Sequence, residues 1–183
     1  MTLDPRSRPP VRTAELLRLL HERQIDWVLS GSAVLLLYGA DLRPNDLDVV
    51  PLLDSANLRR LAALLLEVEA VPAHLPNGLS LSECEAWTPE PPTAAQLDHL
   101  FVTRLGMVDI PPTLTGSYLE LTPEATEIEL AGVPVCICAP EAVLDRLPAK
   151  PRAKDVARAE QYAAVREALA RGREPRANSW FEQ

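Results

Sequence analysis

The chain contains little of what several function classes require. Three cysteines among 183 residues cannot pair fully, and nothing points to an oxidising compartment, so free thiols are expected rather than a disulfide scaffold. Cys136 and Cys138 stand two apart on an apparent strand and share a face, but a zinc site needs two further ligands. His21, His74 and His99 show no ligand spacing, so the cysteines read as buried structural thiols. No apolar run reaches the roughly 18–20 residues of a membrane-spanning helix. The opening MTLDPRSRPP has no apolar signal core, so no membrane association and a cytoplasmic location are expected. Lysine is nearly absent: Lys150 and Lys154 are the only two among 18 basic residues. With 26 acidic residues the net charge is −8, which argues against nucleic acid, because phosphate neutralisation needs clustered basic charge. Arg146, Arg152 and Arg158 are the one local basic patch that runs against this.

Proline, by contrast, is abundant, with 18 residues, about twice the ordinary share. The prolines mark connections at the N-terminus, across 72–92, and near Pro111 and Pro148. Apolar residues at 47% and charged residues at 24% describe an ordinary globular composition. The length suits a single domain over residues 11–172, with a flexible lead (1–10) and a tail (173–183).

Periodicity predicts a helix over 11–23, with Leu16, Leu17, Leu19 and Leu20 on one stripe. A short strand over 26–30 is expected next, then a helix over 33–38 ending near Gly39, and a strand over 47–50 stopped by Pro51. A helix over 58–68, capped by Asp54 or Ser55, follows. Residues 72–93 read mostly as loop, with a short strand near 79–81. Adjacent strands are expected over 97–103 and 106–110, and a hairpin over 127–138 turns at Ala131-Gly132. Pro140 opens a helix to Leu147, and a last helix covers 153–170. No internal repeat is evident. The order predicts an α/β (α+β) fold: a mixed sheet flanked by helices, with a C-terminal helix.

The chemistry concentrates in residues 28–51. A strand ends in Gly31-Ser32, a helix starts at once, and the chain returns as a strand carrying Asp46-Leu47-Asp48. Side chains alternate along a strand, so Asp46 and Asp48 face the same way. Like charges side by side among apolar neighbours cost stability unless a cation lies between them. Hard oxygen donors from few residues suit Mg²⁺, with Mn²⁺ as substitute, the remaining ligands coming from water and substrate phosphates. Gly31 lets a ligand approach the backbone, and Ser32 adds a hydroxyl at a helix start, so the pair reads as a phosphate cradle. Together they read as a nucleotide-polyphosphate site. The plain alternatives are a turn at Gly31-Ser32 and a solvated strand edge at Asp46–Asp48.

The Gly-Ser pair, short helix and D-x-D strand resemble the signature of the nucleotidyltransferase superfamily, the polymerase-beta-like fold. The resemblance extends over about residues 26–162, to the small AbiEii-like and minimal nucleotidyltransferase members. It rests also on the helix over 58–68, Gly106-Met107-Val108-Asp109, the hairpin, and Arg152-Ala153-Lys154-Asp155. It implies Mg²⁺-dependent transfer of a nucleoside monophosphate from ATP or another NTP to a hydroxyl of a small molecule or protein. Asp46 and Asp48 would hold the metal. Asp109 would be the third carboxylate, as second-metal ligand or proton acceptor, and Gly31, Ser32 and Lys154 would bind nucleotide. Asp109 also reads as a strand-end cap before Pro111-Pro112; Asp98, beside His99, is its rival. Lys154 also reads as part of a solvated helix start with Asp155. Where many relatives carry Thr two residues before the first aspartate, this chain has Pro44, which removes a hydroxyl near the phosphates. A second reading is therefore a catalytically weak, antitoxin-like nucleotide-binding module working with a partner protein; a third is a structural domain with an incidental D-x-D.

Overall fold

A computed structural model describes residues 3–146 and 153–183, the side chain of Lys154 excepted. Arg152, Lys150, Pro148 and Leu147 lie outside the described residues. The order is α1 (Thr13–Glu22), β1 (Trp27–Ser30), α2 (Gly31–Leu37), β2 (Leu47–Pro51), α3 (Ser55–Glu67), β3 (Val71–Pro72), α4 (Leu81–Ala86) and α5 (Ala94–Leu97). Then come β4 (Leu100–Thr103), β5 (Gly106–Asp109), α6 (Tyr118–Leu121), a 3₁₀ turn at 122–124, β6 (Thr126–Leu130) and β7 (Val133–Ile137). The helices α7 (Pro140–Asp145), α8 (Ala153–Ala157) and α9 (Ala159–Ala170) close the chain. The strands form one mixed sheet in the order β3-β4-β5-β2-β1-β7-β6, so the expected α/β class with helices flanking a mixed sheet is what is found. Only β2–β5 and β1–β7 pair in parallel; the other neighbours are antiparallel.

The two parallel joints bury the middle of the sheet. Every residue of β2 is buried, and Val28, Leu29, Val49 and Val50 are wholly so, as befits strands covered on both faces. Helix α1 contributes Leu16, Leu17 and Leu20 to this core, while Leu19 is half-buried at the edge of the stripe. Asp54 caps α3 by accepting from the N–H groups of Ala56 and Asn57. Asn57 is itself wholly buried and ties α3 to β1 and β2. Its amide accepts from Asp26 N–H and donates to the Asp26 and Leu52 carbonyls, all at 2.8 Å.

Several local expectations need correction. Pro51 does not stop β2 but ends it inside the pairing, opposite Trp27; a last residue can lack an N–H at small cost. The expected strand near 79–81 is instead the start of α4, where Ser80 and Glu83 form a reciprocal capping box. Ser117 and Glu120 repeat that device at α6, which periodicity did not reveal. Leu97 ends the short helix α5 rather than starting a strand. The last helix is broken at Arg158 into α8 and α9. The three cysteines are free, with Cys84 and Cys138 buried and Cys136 half-buried. Among the described residues, no helix is long and apolar enough to cross a membrane.

Both ends of the described chain lie against the sheet. His74 N–H donates to Pro5 O at 2.8 Å, Arg12 N–H to Leu105 O at 2.8 Å, and Ala14 N–H to Gln183 O at 2.8 Å. Phe181 is wholly buried in the core, edge-on to Trp180 with ring centroids 4.9 Å apart.

Candidate functional site

Strand register assembles the site. Asp48 pairs with Ser30 of β1 and with Asp109 of β5, and Leu29 pairs with Ile137 of β7. One residue further on, Cys138 falls beside Ser30, fixed by its N–H to Leu29 O at 3.0 Å. Register partners share a face, so Cys138, Ser30, Asp48 and Asp109 form a row across four strands. Asp46, two residues before Asp48, lies at the bend that leads into β2.

Asp46, Asp48, Asp109 and Ser32 all line one cavity of about 140 Å³. The third carboxylate is therefore on the neighbouring strand, in register with Asp48, whereas Asp98 is exposed and does not line this cavity. Asp48 is only 7% exposed; Asp46 and Asp109 are half-buried.

Gly31 has a structural duty beyond ligand approach. Its φ is +69°, and a Cβ there would lie 1.8 Å from Asp48 Oδ2. The missing side chain makes the space that the Asp48 carboxylate occupies, and the positive φ would strain any other residue. The preceding Ser30 is a favoured N-cap type, yet it gives α2 no side-chain cap. Its hydroxyl donates instead to Thr115 Oγ1 at 2.8 Å, which also accepts from Arg146 Nη1 at 3.1 Å. Thus the segment after β5, the end of β1 and the end of α7 are tied together at the rim of the carboxylates.

Sequence reasoning missed part of the opposite wall. Asp155, Arg158 and Tyr162 face the same cavity from α8 and α9, and Arg146 from the end of α7. Asp155 is 4% exposed, so the alternative of a solvated helix start does not hold for Asp155, although Ala153 beside it is exposed. The hints in the sequence were the Arg152-Ala153-Lys154-Asp155 run and the basic patch of Arg146 and Arg158; Lys154 belongs to α8, but its side chain lies outside the described residues. Burial pushes the Cys138 thiol up to about 11, opposed by the Ser30 hydroxyl and the Arg146 charge. That thiol stays protonated at neutral pH and is no nucleophile.

Four carboxylates and two guanidinium groups among the described residues thus face one small space, which offers hard oxygen donors to a cation and charge-assisted donors to phosphate. No group of three or more His, Cys, Asp or Glu side chains among the described residues is arranged to hold a metal ion. The donor chemistry nevertheless fits Mg²⁺, which ordinarily takes one or two carboxylates and completes its shell with water and substrate phosphate. Asp48 and Asp109, in register on adjacent strands, provide such a pair, with Asp46 beside them. No family model, curated protein or solved structure matches the chain.

Proposed function

We propose that the chain is a Mg²⁺-dependent nucleotidyltransferase of polymerase-beta-like fold, akin to the small AbiEii-like and minimal members. It moves a nucleoside monophosphate from ATP or another NTP to an acceptor hydroxyl. The observation that supports this most is the convergence of Asp46, Asp48, Asp109 and Ser32 on one cavity with Arg146 and Arg158.

In this reading Asp46 and Asp48, with Asp109, would hold the divalent ion, which would neutralise charge on the phosphates. The Gly31 backbone, the Ser32 hydroxyl and Lys154 bind the nucleotide. Arg146 and Arg158 take the pyrophosphate end through charge-assisted hydrogen bonds. The acceptor oxygen attacks the α-phosphorus and forms a new P–O bond, while the bond to the bridging oxygen breaks. That electron pair leaves with pyrophosphate, and the Asp109 carboxylate takes the hydroxyl proton. Positioning and fixed charge supply most of the acceleration, as in phosphoryl transfer generally. A cytoplasmic location, where NTP and Mg²⁺ are plentiful, goes with this proposal.

Pyrophosphate release from ATP and MgCl₂, measured across a panel of hydroxyl acceptors, tests it. Release that Asp46→Asn abolishes, with unchanged circular dichroism, is the expected result. Buried Pro44, where many members of the resembled superfamily carry Thr, favours a second reading as an antitoxin-like nucleotide-binding module with a protein partner. ATP binding without pyrophosphate release from any acceptor selects that reading.

A further inference from the structure

A second, larger cavity of about 980 Å³ adjoins the carboxylates, and Asn45 and Asp46 belong to the walls of both. The smaller cavity, about 140 Å³, is roughly five water volumes at about 30 Å³ each. That is room for phosphate groups and an ion. The larger one falls in the size range of sites that enclose whole small molecules.

The two reach the aspartates by way of different strands. Leu100 pairs with Asp109 on the β4 side and lines the larger cavity. On the β1 side, Ser30 leads through Thr115 to Arg146, which lines the smaller one. In-line displacement places the attacking and leaving oxygens on opposite sides of phosphorus. With pyrophosphate at Arg146 and Arg158, the attacker enters from the larger cavity.

The walls of that cavity are built by both ends of the described chain. The lead crosses β5 at Gly106, where a Cβ would lie 2.4 Å from Val11 Cα. Arg8 donates to the Pro5 carbonyl at 3.0 Å and the His74 carbonyl at 2.8 Å, which fixes it in the wall. From the other end, Trp180 is set by its contact with buried Phe181. Trp180 offers a flat apolar face, together with Met107 and Leu100. Asp41 and Asp46 also line these walls, while Arg43 is exposed, makes no ion pair among the described residues and supplies a planar fork suited to carboxylate or phosphate.

We infer that the larger cavity is the acceptor pocket, and that the acceptor is a small molecule with a hydroxyl, a flat apolar body and an anionic group. The inference rests on the transfer reading for the role of the pocket, but the ligand class can be tested without nucleotide. The probe is 3-phenyllactate, compared with its uncharged amide and with the cationic phenylalaninol, each titrated calorimetrically into the full chain. Phenyllactate is expected to bind at least about tenfold more tightly than either comparator. Arg43→Gln and Trp180→Ala should each lose about tenfold with circular dichroism unchanged. Equal binding of the three probes, or no binding by the folded chain, overturns the inference. So does adenosine displacing phenyllactate in a Trp180-dependent way, since the cavity would then belong to the nucleoside. Phenyllactate binding without pyrophosphate release from ATP keeps the ligand class and overturns the transfer role alone.

Discussion

Replacing Gly31 by Ala should damage stability and the site together, by two separable routes. The φ of +69° costs a non-glycine residue about 1–2 kcal/mol. The new methyl would also fall 1.8 Å from Asp48 Oδ2 and 2.3 Å from Asp48 Cγ, so the carboxylate must leave its place. Forcing out a packed group adds about 1–3 kcal/mol. The sum is about 3 kcal/mol, or a fall in Tm of roughly 6–12 °C for a domain of this size. A double-mutant cycle separates the two parts. In an Asp48→Ala background every clashing atom is gone, so Gly31→Ala should then cost only about 1 kcal/mol, a coupling of about 2 kcal/mol. Urea unfolding of the four chains gives the values. An equal loss in both backgrounds would refute the claim that Gly31 exists to seat Asp48.

Phe181→Ala should cost about 3–5 kcal/mol and lower Tm by roughly 10 °C, because the ring is wholly buried; a loss under about 1 kcal/mol in thermal unfolding would mean that the C-terminal segment is not docked in solution. A pH effect follows from Cys138, whose folded value is raised from 9.0 to about 11 by burial. The folded state favours the thiol, so this contribution is intact below pH 9 and declines as pH rises from 9 to 11. At the top of that window about 2–3 kcal/mol is lost. Urea titrations should therefore show wild type falling more steeply than Cys138→Ala across it, and parallel curves would contradict the burial argument.

The central β1–α2–β2 unit was legible because short apolar runs are punctuated by Gly31, Gly39 and Pro51, and the strand period fixes which residues share a face. Neighbouring strands cannot be read that way. Asp109 was placed beside Asp48 by resemblance, and only the parallel β2–β5 register brings the two together. Helices α4 and α6 have six and four residues, too few for a periodic stripe; Ser80 with Glu83 and Ser117 with Glu120 were the readable signal. The walls of the larger cavity were hidden for another reason. A polar, proline-rich lead and a short polar tail resemble solvated ends, and nothing local says that Val11 crosses Gly106 or that Phe181 reaches the core. Asp155 was hidden likewise, since its burial comes from packing that its own helix does not encode.

The most direct test of the account is the affinity of the chain for ATP measured by equilibrium dialysis, with MgCl₂ and with EDTA, for wild type and for Asp48→Asn. The account predicts binding that requires Mg²⁺ and that weakens by about a hundredfold in the variant, since changing even the outer-shell partners of metal ligands costs about 10–100-fold. ATP bound equally well in EDTA, or equally well by folded Asp48→Asn, would contradict it.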